Sequence, residues 1–285
     1  MQTNLNEVTP SNKANTLSLK EIQDLSKEIL FKFDDICTEN GFKYYLAMGT
    51  LLGAVRHNGF IPWDDDIDVW MPRRDYCSFI EYMANNSSNH RNLHLFTNHD
   101  KNYPYMISRL CNTDYKCCFD NEKDYGLGLF IDIYPLDGIG NTVREAKRRN
   151  KLASVFSSLC WLSTRNKLKI ERTRGVIKLL LKFPAFIAAK LLGKQFFFKR
   201  LEKMSRQLPY DGTGYVGCLV WGTAHFKKFF PIEWFGAGKS LTFEGRPLQV
   251  PNEYEKILTE IYGDFMTLPP EGERKPHHFY TATRK

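Results

Sequence analysis

Ile22, Leu25, Ile29, Phe33 and Ile36 recur every three or four positions, the spacing of one helical face, and predict an amphipathic helix ending near Gly41. Ser18 and Glu21 form a capping box at its start, and Leu17 with Ile22 a hydrophobic staple. On this pattern Asp34 and Asp35 fall on the solvated side. From Phe42 to Met48 the helical period gives way to an apolar and aromatic run, which predicts a strand left through a Gly49-Thr50 turn, with a short helix over Leu51 to Arg56. Further strands are expected at Ile67 to Met71, at Tyr105 to Leu110, and at Gly128 to Tyr134, the last closed by a Pro135-Leu136-Asp137-Gly138 turn. A helix over Glu253 to Tyr262 with Ile257, Leu258 and Ile261 inward stops before Pro269-Pro270.

Charge divides the chain differently. Of its 285 residues 42% are apolar, enough for a sizeable core, and the net charge is +8. Residues 141–206 carry 18 Lys and Arg against 3 acids, a local charge of +15, so the remainder carries −7. There Arg174, Lys178 and Lys182 alternate with Val176, Ile177 and Leu179 to Leu181 as in a basic amphipathic helix, which Pro184 should kink or end. No run approaches the roughly 20 apolar residues a bilayer crossing needs. Two readings stay open: a helix lying on an anionic membrane surface, or a helical subdomain packed on the core. Long aliphatic runs instead of spaced aromatics make nucleic acid an unlikely partner. The divisions expected are a disordered 1–15, a core over 16–140, a basic helical insert over 141–206, and a C-terminal part, 207–285, completing the core. Without a signal-peptide pattern, and with seven cysteines lacking Cys-x-x-Cys spacing, the expected location is cytoplasmic, with a possible peripheral hold on the membrane's inner face. Cys111, Cys117 and Cys118 follow His90, His94 and His99 closely enough to raise the question of a structural zinc.

The chemistry concentrates in four carboxylates within five positions, Asp64, Asp65, Asp66 and Asp68, set among Ile61, Pro62, Trp63, Ile67, Val69 and Trp70. Like charges crowded among residues that prefer burial imply a cation. In a strand Asp66 and Asp68 share a face with Cα atoms about 6.6 Å apart, so both can reach one Mg2+ (or Mn2+), while Asp65 points away. A calcium loop would need glycine at Val69 and glutamate at Asp75; a merely solvated acidic turn is the more plausible alternative, and the apolar setting is its weakness. A helix beginning after Gly49-Thr50 suits an anion, and Arg56 and His57 place donors between that turn and the acids. Asp132, alone in an apolar strand, would be costly to bury without a partner. Beside the cation it could complete the coordination and take a proton from an attacking hydroxyl. Arg73, Arg109 and, in the tail, His277 are candidate phosphate contacts; Tyr103, Tyr105, Tyr115, Tyr125, Trp161 and Trp221 could supply an aromatic box for a quaternary ammonium.

Gly49 to Val69, with Gly-Thr-Leu-Leu-Gly-Ala-Val-Arg followed by Ile-Pro-Trp-Asp-Asp-Asp-Ile-Asp, resembles the signature of the LicD family of phosphorylcholine transferases, relatives of fukutin in the nucleotidyltransferase superfamily. Phe130 to Gly138 is similar to that family's later strand, and Phe243-Glu244-Gly245 through His277-His278 to its ending. The resemblance implies an α+β fold: a nucleotidyltransferase-like mixed sheet with helices packed on it and a helical basic insert. It matches Gly49 and Thr50 to the phosphate turn, Asp66 and Asp68 to the paired metal ligands, Asp132 to the third acid, and Asp64 to a possible extra ligand. It implies Mg2+-assisted transfer of a substituted phosphate, phosphocholine from CDP-choline or a related CDP-alcohol, onto a hydroxyl of a glycan or lipid-linked glycan. Two other readings remain at this point, a nucleotidyltransferase acting on RNA or a small molecule and a non-catalytic basic peripheral membrane protein.

Overall fold

A computed structural model describes residues 15–100, 103–119, 123–165, 176–220, 229–275 and 280–285, with side chains of 176–182 outside the description. The expected disordered N-terminus lies outside it apart from Asn15, as do His277, Trp221 and the side chains of Arg174, Lys178 and Lys182.

The first helix, α1 (Leu19–Asn40), forms as its spacing requires. Ser18 and Glu21 close the capping box, and Gly41 ends it in the left-handed region at φ 68°. Ile22, Ile29, Phe33 and Ile36 are buried. Asp34 is a correction: it is buried, accepts a 2.6 Å hydrogen bond from Tyr44 and pairs with Arg246 at 2.7 Å, while exposed Asp35 also meets Arg246. The face that periodicity assigned to water is covered by a distant arginine.

The strand after α1 is only β1 (Tyr45–Leu46), because helix α2 (Met48–His57) starts earlier than expected. Gly49 and Thr50 therefore form its first turn and are not a loop before it. Met48 takes φ 48°, unusual for a residue with a side chain, to make that entry. Next come β2 (Asp68–Pro72), α3 (Arg73–Asn85), β3 (Leu93–Phe96), β4 (Ser108–Asn112), β5 (Tyr115–Phe119) and β6 (Leu129–Gly140). The main sheet runs β1-β2-β6-β4-β3, parallel only between β2 and β6. Rings of Phe33 and Phe79, 5.1 Å apart, join α1 to α3 in the core.

Pro135-Leu136-Asp137-Gly138 does not turn. It continues β6, pairing with β2 through Leu136 and then with β7 (Tyr215–Gly217) from Asp137, and β7 pairs with β8 (Phe230–Pro231). Gly138 is required for that passage, since a Cβ there would lie 2.2 Å from the Pro209 carbonyl oxygen.

Residues 141–206 supply α4 (Val143–Thr164) and α5 (Val176–Ser205), packed on each other and both touching β6. Helix α5 runs through Pro184, which is exposed; the break comes instead at Gly193, φ 72° and ψ 165°. Strands β9 (Lys239–Phe243) and β10 (Arg246–Val250) form a hairpin whose first strand touches α2. Helix α6 (Tyr254–Tyr262) buries Ile257 and Leu258 and leaves Ile261 half-buried. The last strand, β11 (Tyr280–Arg284), pairs with β5. The described residues thus hold six helices around a mixed sheet, an α+β fold. No described helix is long and apolar enough to cross a membrane.

Candidate active site

Sheet register assembles the acids. Asp68 opens β2 directly opposite Asp132 of β6, and Asp132 stands opposite Arg109 of β4, so three charged residues form one row across three strands. Neighbouring strands are about 4.8 Å apart, which sets the spacing of the row. Each position is pinned by backbone bonds: the Asp132 amide donates to Ile67 at 2.8 Å, Ala47 donates to the Asp68 carbonyl at 3.0 Å, and the Asp68 amide donates to the Thr50 hydroxyl at 2.8 Å. Thr50 therefore couples the first turn of α2 to the acidic strand.

Asp64, Asp65 and Asp66 occupy the loop leading into β2, held from behind by Gln23, whose side-chain amide donates to the Asp64 carbonyl at 2.8 Å. Gly49 lies against Asp64: a Cβ there would come 2.7 Å from Asp64 Oδ2. Asp64 and Asp66 are half-buried, Asp68 and Asp132 buried. Burial raises the carboxyl of Asp66 well above its ordinary value, and the charges of Asp64 and Asp132 add to it. Burial does the same at Asp68, followed by the charges of Asp66, Asp132 and Asp64, against a hydrogen bond from Tyr134. Burial also raises Asp64, which a hydrogen bond with Asp66 opposes. Asp65 is buried and its carbonyl accepts from Tyr280.

Two of the arginines expected at phosphate, Arg73 and Arg109, are committed to carboxylates. Arg109 grips Asp132 with two bonds, 2.6 and 3.2 Å, and its guanidinium lies 4.0 Å from the ring centres of Tyr105 and Phe130 and 5.3 Å from Phe119. Tyr105, one of the residues expected to box an ammonium, thus encloses an arginine of the protein itself, and a stacked Trp161 carries Arg165 at 4.3 Å. Arg73 holds Asp137 with bonds of 2.6 and 3.0 Å. That pair stands five residues along β6 from Asp132, about 16 Å, so the structure does not bring Arg73 to the acids. Arg56 is closer: its side chain donates to the Phe265 carbonyl at 3.0 Å and to His57 Nε2 at 3.0 Å, within electrostatic reach of Tyr262 and Arg274.

Cys111 and Cys117 are buried and Cys118 is exposed, since successive strand residues face opposite ways; these thiols do not assemble a zinc site, and no described group of three Asp, Glu, His or Cys forms a ready-made metal cage. Magnesium does not need one. It is usually held by one or two carboxylates together with substrate phosphate and water. Asp68 Oδ1 is buried without a hydrogen-bond partner, and a cation would satisfy it and offset the repulsion among these acids. Asp66 and Asp68 fit that role. Asp132 differs, because Arg109 engages both its oxygens.

Three tyrosines join this site that the reading of motifs missed. The hydroxyls of Tyr134 and Tyr280 are raised mainly by burial, followed by the charge of Asp68 for Tyr134 and by Cys117 and then Asp66 for Tyr280; Tyr262 is 44% exposed, and the charges that raise its hydroxyl are those of Asp68, Asp64 and Asp66. Tyr134 was discoverable, since it lies two residues beyond Asp132 on one strand and so shares its face. Tyr262 and Tyr280 come from remote segments with no local signal.

A family model described as "LicD/FKTN/FKRP, nucleotidyltransferase domain" matches residues 41–163, which include every acid of the row. The lipopolysaccharide cholinephosphotransferase LicD of Haemophilus influenzae is 31% identical over 275 residues, spanning 93% of this chain and 98% of that protein. Two uncharacterised proteins are similar over shorter stretches: one from Rickettsia typhi at 34% over 103 residues (36% of this chain, 31% of that protein), and one from Rickettsia prowazekii at 30% over 145 residues (43% and 54%).

Proposed function

The chain belongs to the LicD family, and from that premise we propose that it transfers phosphocholine from CDP-choline to a hydroxyl of a lipopolysaccharide glycan or its lipid-linked precursor. The observation that carries this reading is the end-to-end match to a cholinephosphotransferase, with Gly49, Thr50, Asp66, Asp68 and Asp132 all gathered at one place.

The protein's own groups divide the work. Amides in the first turn of α2 receive the donor phosphates, since a helix start attracts anions, and Gly49 leaves the space in which Asp64 Oδ2 sits beside them. Thr50 fixes Asp68 by its backbone, and Asp66 with Asp68 would hold a magnesium ion. Such an ion, when bound, offsets phosphate charge as CMP leaves. Arg56, at the far end of α2, acts on Tyr262, the same hydroxyl that Asp68, Asp64 and Asp66 act on. The hydroxyl proton passes to a carboxylate of the cluster; Asp132 keeps acceptor lone pairs beyond those Arg109 engages. Arg109 then acts by orienting Asp132 and not by touching the donor. The reaction belongs on the cytoplasmic side of the membrane that carries the acceptor.

Phosphorus NMR of the protein with CDP-choline, Mg2+ and purified lipopolysaccharide tests the reading. Wild type should release CMP and label the glycan, and Asp68→Asn should abolish both. Undiminished turnover in that variant removes Asp68 from the mechanism, and labelling from another CDP-alcohol but not CDP-choline refutes the donor.

A further inference from the structure

Helix α5 is anchored at one end and bare at the other. Beyond the Gly193 break, Phe197, Phe198 and Leu201 are buried, and Lys194 donates to the Tyr103 carbonyl. Before the break, Ala189 is fully buried and fixes which side faces inward. The opposite side carries Phe183, Pro184, Ile187, Ala188, Leu191 and Leu192, at positions i, i+1, i+4, i+5, i+8 and i+9 of one helix. All six are exposed, and four of them are large: Phe183 at 56%, Ile187 at 44%, Leu191 at 82% and Leu192 at 49%. Folding normally hides such a stripe, and a contiguous exposed apolar face of this kind marks an interaction surface.

The charge around the stripe selects its occupant. Lys190 is exposed beside it, near enough to Lys123 to feel that charge, and the segment 141–206 totals +15. A second copy of the chain would bring the same +15 against it, and an apolar pocket of a neutral partner would leave that charge without a counterpart. A surface that is apolar within and negative at its rim matches both features.

We propose that the Phe183–Leu192 face of α5 seats on an anionic lipid bilayer, its apolar side chains at the boundary of the acyl layer and Lys190 among acidic headgroups. The helix lies in the interface and does not cross it. This surface is separate from the acidic row, and its test uses neither substrate, so it stands or falls independently of the proposed reaction.

The experiment is co-sedimentation of the full chain with vesicles of phosphatidylcholine alone or with an equal part of phosphatidylglycerol, alongside analytical ultracentrifugation without lipid. Wild type should bind the anionic vesicles, lose that binding in high salt, and bind the neutral ones weakly. The double variant Ile187→Glu/Leu191→Glu should bind at least about 10-fold more weakly, with an unchanged melting temperature because both side chains are already exposed. Lys190→Glu should weaken binding and flatten its salt dependence. Equal binding of the double variant and wild type, absence of vesicle binding, or a lipid-free dimer that the double variant disperses would each overturn the proposal, the last by showing that a second copy covers the face.

Discussion

Replacing Asp68 by asparagine should make the metal-free protein more stable while removing its activity. The sign follows from the row of charges. Asp132 is matched by Arg109 through two bonds, but Asp68 lies buried with Oδ1 unpartnered, and after burial the charge of Asp66 acts on it first. With both carboxylates ionised and about 6.6 Å apart, the span of two extended residues, an effective dielectric constant of about 20 makes their repulsion about 2.5 kcal/mol. The substitution removes that repulsion and weakens the hydrogen bond from Tyr134, a loss of about 1 kcal/mol. A net gain of about 1–2 kcal/mol should raise Tm by about 2–6 °C for a chain of this size. Thermal unfolding in EDTA and again in excess Mg2+ reads both halves of the argument. Wild type should gain stability with Mg2+ and the variant little, so the order of the two melting curves narrows or reverses. An Asp68→Asn protein that melts below wild type in EDTA would refute the reasoning, because the acids would then not repel one another.

Gly49→Ala places a methyl group 2.7 Å from Asp64 Oδ2, and should weaken Mg2+ binding by about 10-fold by calorimetric titration while leaving the fold intact; unchanged affinity would remove Asp64 from the cation's surroundings. Arg109→Met leaves buried Asp132 without its counter-charge and should cost about 3–5 kcal/mol in urea unfolding, part of it recovered in Arg109→Met/Asp132→Asn. Strictly additive effects of those two changes would show that the pair is not coupled. His57 supplies the pH dependence: burial and then the charge of Arg56 push its pKa below 6.5, and its Nε2 accepts a hydrogen bond from Arg56, which requires the neutral ring. The folded state therefore binds fewer protons than the unfolded chain, so this contribution is complete above the unfolded pKa and is lost as pH falls through and below 6.5. The Tm advantage of wild type over His57→Gln should shrink between pH about 7.5 and about 5, and a constant difference would discard the contact.

Local patterns were legible in proportion to how local their causes are. The capping box, Gly41 and the apolar stripe of α1 involve residues within a few positions of each other, and all appear where periodicity puts them. The same logic placed Asp66 and Asp68 together and Asp132 in an apolar strand. It failed where a partner came from far along the chain: Asp34 reads as a surface residue until Arg246 arrives, and Arg109 reads as a phosphate ligand until strand pairing sets it opposite Asp132. Pro135-Leu136-Asp137-Gly138 misleads for a related reason. Turn-forming residues describe backbone preference, and here β2 pairs with the first part of the segment and β7 with the second, which keeps it extended.

The register also explains why two aspartates of one strand, each paired with an arginine, serve different ends. Arg73 and Asp137 neutralise each other where β6 passes from β2 to β7, and the Leu219 amide donates to the same carboxylate at 3.4 Å, so the pair ties three segments together away from the acids. Arg109 and Asp132 neutralise each other beside Asp68, and the rings of Tyr105 and Phe130 hold the guanidinium from moving toward a ligand. The row is therefore asymmetric: its β4 and β6 side is balanced, and its β2 side, with Asp66 and Asp68, carries the uncompensated charge. A cation drawn to this site is pulled to the β2 side, next to the first turn of α2, where donor phosphate would also bind. Arg109 thus contributes by satisfying Asp132 and leaving the remaining negative charge beside the helix start.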